Sequence, residues 1–232
     1  MSTKIQAPIV ITAHTNADFD CLSSMVAAQK LYPQGVLVFP GSQEQSLRDF
    51  FIQSATYLFN FYSMKDIDPE SVHTVVVCDT RQPSRLGHIK PLLQNRDIVV
   101  HAYDHHPETD EDLAADYQDV RLWGSTVSIL TQIIKEKDIP LSSDEATIMG
   151  LGLYEDTGCF TFTSTTEHDL FALWWLKTQG MDIGFIADFL NRELSAEQVG
   201  ILNTLLEAAT RHIINGLEVC ITAISLDNYV RD

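Results

Sequence analysis

The chain has few cysteines, few basic residues and no long apolar run, and each shortage excludes a class of protein. Its 232 residues include 4 cysteines, which are too widely spaced for a disulfide scaffold or a CxxC metal site and are expected to be small buried side chains. No apolar run approaches the roughly 20 residues that cross a bilayer. The first apolar stretch is too short for a secretory signal. We therefore expect a cytoplasmic protein with no membrane partner.

The charge of the chain is strongly acidic, with 32 Asp and Glu against 15 Lys and Arg and a net charge of −17. Such a chain repels a phosphate backbone, so extended duplex nucleic acid is not expected to bind to it alone. The same excess suits a site that concentrates carboxylates around divalent cations. Hydrophobic residues make up 45% of the chain, which is typical of a globular domain rather than a disordered one.

The first half of the chain alternates short β-branched segments with segments of helical periodicity. Strands are predicted over residues 8–13, 36–39, 74–78 and 98–103, with helices over 22–31 and 47–62. The strands are apolar throughout, as in parallel sheets that are covered on both faces. Strand and helix alternation predicts βαβ units. The fold class is therefore α/β, a Rossmann-like three-layer fold with a mainly parallel sheet.

The second half is predicted to be mostly helical. One helix covers 126–137, and three capping boxes start others at Ser142/Glu145, Ser164/Glu167 and Ser195/Gln198. A long amphipathic helix is predicted from Ser195 to Ile214, followed by a strand over 217–226. Because a lone strand needs a sheet, the predicted domains are a catalytic domain (1–190), a linker helix (191–214) and the start of a truncated second domain (215–232).

Ligand-type side chains follow three of the predicted strands. His14, Asp18 and Asp20 follow the first, Asp79 ends the third, and the Asp104-His105-His106 triplet ends the fourth. In an open α/β sheet these strand ends border one ligand crevice. Taken singly, an Asp could cap a helix or start a turn, and a lone His is more often a hydrogen-bonded surface group. Their coincidence at one edge favours a site.

A fourth cluster, residues 153–160, follows a predicted helix and contains Asp156-Thr157-Gly158. By itself it would be interpreted as a helix end and a turn. Together the four ordered motifs resemble the DHH phosphoesterases, which are named for the triplet found here at residues 104–106. The segments 85–87 and 124–126 are also similar, so the resemblance covers most of residues 8–190.

The resemblance implies a two-metal site, usually with Mn²⁺ and with Mg²⁺ as the other option. It implies that one ion is held by His14 and Asp18, the other by Asp20, His105 and Asp156, and that Asp79 bridges them. His106 would be a catalytic group that binds the phosphate or protonates the leaving group, and Asp104 would orient a histidine. Two ions held in this way can share a water, lower its pKa and make it the nucleophile.

Three shorter stretches, residues 15–20, 24–33 and 39–42, are similar to the amino-terminal part of bacterial multidomain proteins. Those proteins join a DHH region to CBS domains and to a tRNA nucleotidyltransferase or poly(A) polymerase domain. The implied function is hydrolysis of a short oligonucleotide, a phosphorylated nucleotide or a polyphosphate. Two alternatives stay open: a non-catalytic regulatory module that binds metal and nucleotide, and a structural or dimerisation domain.

Other side chains near these motifs are assigned to packing or to the surface. Arg81 and Arg85 follow Asp79 closely and could contact a phosphate, but a surface arginine in a loop is the commoner state. Three cysteines near the proposed ligands are expected to pack beside the site, because thiolates suit softer metals; they are Cys21, Cys78 and Cys159. Four apolar residues at helical spacing are predicted to be core: Leu170, Phe171, Trp174 and Trp175.

Overall fold

The computed structural model describes residues 4–51, 59–94, 97–190 and 196–225. The chain divides into two compact units, Met1–Ala187 and Asp188–Asp232. The described residues of the first unit form six strands, which are β1 (Ile9–Thr12), β2 (Gly35–Val38), β3 (Phe61–Tyr62), β4 (Thr74–Cys78), β5 (Val99–Asp104) and β6 (Tyr117–Val120). They form one sheet in the order β3-β2-β1-β4-β5-β6, and every neighbouring pair is parallel. This is the strand order of Rossmann folds.

The helices of the described residues are α1 (Phe19–Leu31), α2 (Gln45–Phe50), α3 (Thr126–Glu136), α4 (Ser143–Asp156), α5 (Glu167–Thr178), α6 (Ile183–Leu190) and α7 (Ala196–Glu207). One face of the sheet contributes Val10, Val75 and Val77 to a cluster of buried apolar residues, where they join Leu86 and Ile89 from the segment after β4. Helices α1, α3 and α4 pack against one another, and α1 and α3 also contact strands. The predicted α/β three-layer fold with a parallel sheet is confirmed.

The contact between α1 and α4 sets the position of two site residues, because Asp20 lies in the first turn of α1 and Asp156 ends α4. Gly152 allows the two helices to approach closely. A Cβ at Gly152 would lie 2.7 Å from both the Phe19 carbonyl oxygen and Ser23 Oγ, and the Gly152 N–H donates to Ser23 Oγ at 3.1 Å. Any larger residue there would push the two site-bearing helix ends apart.

Two details of the sheet differ from the predictions. The helix predicted over 47–62 is wrong at its end, because Phe61–Tyr62 forms the edge strand β3; residues 52–58 lie outside the described part of the chain. Strand β6 was not predicted. It pairs only with β5, and its sequence YQDV is half polar and partly exposed, so it lacks the apolar run that marks the buried strands.

The capping box predicted at Ser142 and Glu145 is confirmed. The one predicted at Ser164 is wrong, because α5 is capped by Thr166 with Asp169 as its partner. The Asp169 carboxylate accepts hydrogen bonds from both the N–H and the hydroxyl of Thr166, each at 2.7 Å. Ser195, the third predicted cap, lies outside the described residues.

The second unit contains α7 and a hairpin of two antiparallel strands, β7 (Thr210–Ile214) and β8 (Leu217–Ile221). The helix predicted to reach Ile214 ends at Glu207 instead. The hairpin turns at Asn215 and Gly216, whose φ angles are +53° and +81°, and an Asn-Gly pair is a strong signal for such a turn. The predicted last strand is therefore paired with β7 rather than alone. None of the described helices is both long and apolar enough to cross a membrane.

Two further predictions about burial are only partly correct. On α5, Trp175 is buried as expected, but Leu170, Phe171 and Trp174 are exposed, because the helix has one packed face rather than an apolar circumference. Cys21 and Cys78 are buried, whereas Cys159 and Cys220 are exposed.

Candidate metal centre

The loop after β1 lies at the point where the strand order reverses between β1 and β4, where Rossmann folds bind ligands. Asp18 caps α1, since its Oδ1 accepts a hydrogen bond from the Cys21 N–H at 3.0 Å. Its other oxygen, Oδ2, lies 3.6 Å from His14 Nε2. The capping interpretation is therefore correct for Asp18, and the same carboxylate also contacts a predicted ligand.

Asp79 occupies the middle of the site. It follows β4 with a left-handed φ of +60° and is buried, and its N–H donates to the Tyr103 carbonyl at 2.9 Å. Its Oδ2 lies 3.3 Å from His14 Nε2, and its Oδ1 lies 3.5 Å from His105 Nε2. The two oxygens of one carboxylate thus face two different imidazoles.

Asp20 and Asp156 lie on the His105 side. The Asp156 Oδ2 is 3.2 Å from His105 Nε2. Asp20 is completely buried, and its two oxygens accept the first N–H groups of α3, from Thr126 at 2.7 Å and Val127 at 3.0 Å. A helix amino terminus is a favourable neighbour for a carboxylate, so α3 fixes Asp20 in place.

The ligand atoms of these side chains form two groups in which all atoms lie within 4.8 Å of one another. The first group is His14, Asp18, Cys21 and Asp79, and the second is Asp20, Asp79, His105 and Asp156. The structure thus brings all six predicted metal-ligand residues together, with Asp79 in both groups. A third group joins Asp79 and His105 to His106.

Both imidazoles are oriented by backbone carbonyls. The Nδ1 atom of His14 lies 2.8 Å from the Thr15 oxygen, and that of His105 lies 3.1 Å from the Trp123 oxygen. When each Nδ1–H donates to its carbonyl, the Nε2 lone pair points toward the carboxylates. Metal-bound histidines are commonly oriented in this way.

The electrostatics of the cluster show an excess of negative charge. Burial opposes protonation of His14 and His105, but their carboxylate neighbours outweigh it and raise the pKa of each to about 10. Burial and the charges of Asp156 and Asp79 raise the pKa of Asp20 well above its usual range. In the described part of the chain, no Lys or Arg forms an ion pair with these carboxylates, so the site lacks a permanent protein cation.

Asp104 has a different environment. Its Oδ1 lies 2.8 Å from His106 Nδ1, and its Oδ2 accepts a hydrogen bond from Arg81 Nε at 3.0 Å. Despite its burial, these bonds lower the pKa of Asp104. Arg81 is 2% exposed, so its assignment to the surface is wrong: the buried Asp104 requires a buried cation. Arg81 Nη2 also donates to the His106 carbonyl at 2.8 Å.

The His106 ring is partly open to solvent, with 45% of its side chain exposed. It borders a recess of about 40 Å³ whose lining also includes Thr80, Gln82 and Arg85. His106 is therefore the accessible member of the triplet, whereas Asp104 and His105 are directed inward.

The family model described as the DHH family, N-terminal domain, matches residues 8–153. The chain belongs to the DHH family. The resemblance seen in the sequence motifs is thereby confirmed for more than half of the chain.

This DHH chain is similar over nearly its whole length to a much longer protein, the A-adding tRNA nucleotidyltransferase of Geobacter sulfurreducens. The two are 42% identical over 223 residues, which is 96% of this chain and 25% of the relative. It is also 26% identical, over 175 residues, to the bifunctional oligoribonuclease and PAP phosphatase NrnA of Bacillus subtilis, covering 70% of this chain and 50% of that protein. The chain thus spans about a quarter and a half, respectively, of these relatives.

Among solved structures, an exopolyphosphatase-related protein from Bacteroides fragilis has the same fold. The TM-score is 0.68 at 18% identity, and the match covers 88% of this chain and 62% of the other.

Three further residues of the DHH chain support the site, and two of them, Asp169 and Glu155, were not predicted to do so. Asp169 is buried and accepts hydrogen bonds from the Gly124 N–H at 2.9 Å and the Ser128 hydroxyl at 2.6 Å. These bonds hold the start of α3, which in turn holds Asp20. A Cβ at Gly124 would lie 2.7 Å from Asp169 Oδ2, which explains the glycine in the 124–126 motif. The signal available in the sequence was the Thr166-x-x-Asp169 spacing of a capping box.

The second is Glu155, whose Oε2 accepts the Phe19 N–H at 2.7 Å. Burial, with the charge of Asp18, raises its pKa to about 8. The third is Cys21, whose Sγ lies 3.4 Å from Asp79 Oδ2. Burial and the charge of Asp79 raise the pKa of the Cys21 thiol, so it is a protonated donor to Asp79, in agreement with its expected packing role.

Proposed function

We propose that this DHH chain is a manganese-dependent phosphoesterase domain. It would hydrolyse phosphodiester, phosphomonoester or phosphoanhydride bonds in a short oligonucleotide, a nucleotide or a polyphosphate. One observation carries the proposal: the two oxygens of Asp79 face two separate groups of histidine and carboxylate ligands, at 3.3 and 3.5 Å from the two imidazoles. A bridging carboxylate of this kind is what a binuclear site requires.

The donor set fits hard divalent ions, because carboxylate oxygens and imidazole nitrogens suit Mn²⁺ and also accept Mg²⁺. His14 and Asp18 would hold one ion, Asp20, His105 and Asp156 the other, and Asp79 both. The excess of buried carboxylates over protein cations supports this assignment. Bound ions would supply an activated water for attack on phosphorus and would neutralise charge on the phosphoryl oxygens.

The remaining groups act on the substrate directly or through a neighbour. With Nδ1–H held by Asp104, His106 presents its other nitrogen to the open side, where it binds a phosphate oxygen or donates a proton to the leaving group. Asp104 fixes the orientation of the ring and places the proton on Nδ1, as a carboxylate does beside a catalytic histidine. Arg81 in turn fixes Asp104 and the His106 carbonyl.

The similarity to a protein named as an oligoribonuclease and PAP phosphatase supports a phosphorylated small molecule or short oligonucleotide as the substrate class. The second candidate function is a regulatory module that binds metal and nucleotide within a tRNA nucleotidyltransferase or poly(A) polymerase. It is favoured by the 42% identity to an A-adding tRNA nucleotidyltransferase of which this chain spans 25%. In that arrangement, residues 1–190 would be the DHH domain, with CBS and nucleotidyltransferase domains beyond residue 232. The predicted boundary between a linker (191–214) and a second domain (215–232) falls inside the β7–β8 hairpin, so α7 would be the linker and the hairpin the start of the second domain.

To test the proposal, the chain is loaded with Mn²⁺ and free metal is removed. Bound metal and hydrolysis of a short oligonucleotide are then measured. We expect close to two ions per chain and Mn²⁺-dependent product. The double variant Asp79→Asn/Asp156→Asn should lose both, and Asp119→Asn, at a carboxylate paired with Arg121, should lose neither. Hydrolysis that survives the double variant would overturn the proposal. Tight nucleotide binding without product would favour the regulatory module.

A further inference from the structure

A second cavity lies beside the metal centre, at the end of β2. It has a volume of about 380 Å³ and is lined by Phe39, Gln43, Phe51, Phe59, Asn60 and Phe61. Phe39 directly follows β2, whose carboxyl end lies at the same edge of the sheet as the ends of β1 and β4. All four phenylalanines are only partly buried. Aromatic side chains that remain accessible around a concave surface mark a ligand site.

The phenylalanine rings that line the cavity contact one another. Phe39 and Phe61 are stacked, with centroids 5.0 Å apart and an interplanar angle of 19°. Phe51 meets Phe61 edge-on at 5.1 Å and 73°. Stacked and edge-on contacts are the arrangements that aromatic rings prefer, and a planar guest in the cavity would meet these rings in the same two ways.

The polar groups of the cavity are uncharged. Among its lining residues in the described part of the chain, only Gln43 and Asn60 carry polar side chains, and each amide offers both donors and an acceptor. The Gln43 Nε2 donates to the Gly41 carbonyl at 3.3 Å, which holds the amide in position. Paired donors and acceptors match the edge of a nucleobase, whereas a phosphate would require a cationic partner.

The cavity is joined to the metal centre by backbone hydrogen bonds. Ala17, which precedes the proposed ligand Asp18, forms a parallel bridge with Gln43. The Ala17 N–H donates to the Ser42 carbonyl at 3.0 Å, and the Glu44 N–H donates to the Ala17 carbonyl at 2.8 Å. Paired backbones lie about 5 Å apart, so one wall of the cavity begins next to a ligand of the centre.

We propose that this aromatic cavity binds the nucleobase of the substrate whose phosphate lies at the metal centre. The assignment rests on the proposed function and narrows it. An apolar, uncharged subsite beside the centre gives binding energy only to a substrate that carries an aromatic ring. Nucleotides and short oligonucleotides are therefore the substrates, in preference to inorganic polyphosphate.

The test compares kcat and KM of the Mn²⁺-loaded chain for adenosine 3′,5′-bisphosphate and for inorganic tripolyphosphate. Phe39→Leu should raise KM for the nucleotide by about tenfold, the loss typical of one stacked base. Gln43→Ala, a second variant at a partly exposed position, should raise it by about threefold to tenfold, the loss typical of one hydrogen bond. Neither should change KM for tripolyphosphate. Phe171→Leu, on α5 and outside the cavity, is the matched control. Unchanged nucleotide KM, or equal losses on both substrates, would overturn the assignment.

A binding measurement separates this assignment from the proposed function. Calorimetric titration of adenosine 5′-monophosphate needs no turnover, so it can also be made with the Asp79→Asn chain. If neither substrate is hydrolysed but Phe39→Leu weakens binding about tenfold, the phosphoesterase proposal fails and the nucleobase site stands. If hydrolysis is Mn²⁺-dependent but the Phe39→Leu and Gln43→Ala changes leave nucleotide binding and KM unaltered, the phosphoesterase stands and the nucleobase site fails.

Discussion

Asp20 and Asp104 are both buried at the carboxyl edge of the sheet, yet their surroundings are opposite. Asp104 has a protein cation, because Arg81 Nε lies 3.0 Å from its Oδ2, and its pKa is lowered despite its burial. Asp20 has peptide N–H groups and two further carboxylates for neighbours, and burial together with those charges raises its pKa. A buried carboxylate without a cation is costly unless something else compensates its charge.

This difference distinguishes a carboxylate whose charge the protein itself neutralises from carboxylates whose charge is left for a ligand to neutralise. Around Asp104 the chain supplies its own compensation, and the result is a fixed support for His106. Around Asp20, Asp79 and Asp156, the basic side chains that the described part of the chain supplies are imidazoles, which are cationic when protonated. A cation from solution would neutralise the remaining negative charge. The surroundings of Asp104 and those of Asp20 should therefore respond in opposite ways to metal and to pH.

The largest effect is expected from a comparison of Asp79→Asn with Asp104→Asn. Asp79→Asn removes a carboxylate that both ligand groups share and should reduce Mn²⁺ content well below two ions, with a loss of activity above about 100-fold. Asp104→Asn should retain the metal and lose about 10- to 100-fold, as expected for a group that orients another. Metal analysis and oligonucleotide hydrolysis check both. Full metal content in Asp79→Asn would contradict the distinction between a metal-binding Asp79 and a supporting Asp104.

The next largest effect concerns stability. Arg81→Met leaves Asp104 buried without its cation and should lower the free energy of unfolding by about 3–5 kcal/mol, the usual cost of breaking a buried pair from one side. Urea denaturation measures this. Arg85→Met, four residues later and only partly buried, is the control and should change stability by less than about 1 kcal/mol. Equal effects would show that Arg81 is not compensating Asp104.

A smaller effect should appear in the pH dependence of the metal-free chain. His14 and His105 have pKa values raised from 6.5 to about 10, so their contribution to stability is complete below pH 6.5 and is lost as the pH rises toward 10. Metal binding needs the deprotonated ligands and strengthens over the same range. The difference in Tm between Mn²⁺-loaded and metal-free chain should therefore widen by at least about 3 °C from pH 6.5 to 9. A constant difference would contradict this.

The smallest effect on the metal centre is expected from Glu155→Gln. The Glu155 pKa is raised from 4.5 to about 8, so the stability that its neutral form provides is lost as the pH rises from 4.5 through 8. The amide can still accept the Phe19 N–H but carries no charge. The variant should match the parent in stability at pH 4.5 and exceed it at pH 9, because only the parent must carry a buried charge there. Thermal unfolding at the two pH values checks this, and Mn²⁺ content should be unchanged.

The buried centre of the fold was predictable from sequence, and its edges were not. Strands β1, β2, β4 and β5 are continuous apolar segments, and the prediction for β4 matches its observed bounds. The edge strands β3 and β6 are short or half polar, so their pairing depends on neighbours that a local pattern does not contain. The error at residues 208–214 has another cause: the helical pattern was extended up to the Asn215-Gly216 turn signal, although a hairpin turn of this kind has a strand on each side.

The candidate site was predictable because its residues stand at the ends of buried strands, where a parallel sheet collects them. The structure brings the six predicted ligands together, but their roles remain a prediction. The roles of Arg81 and Asp169 could not be predicted, because each depends on a partner distant in sequence. Arg81 pairs with Asp104, and Asp169 accepts a hydrogen bond from Gly124. The cavity beside the centre also joins residues from separate elements.

The backbone of Asp79 is hydrogen-bonded to the sheet, whereas its side chain lies in the metal centre. Its N–H donates to the Tyr103 carbonyl, in a hydrogen bond that continues the pairing of β4 with β5. The carboxylate therefore cannot swing away from the centre by a loop motion alone; the strands must first separate. Hydrogen exchange at this amide would follow the cooperative opening of the sheet rather than local fluctuation, so the ligand geometry lasts as long as the folded sheet itself.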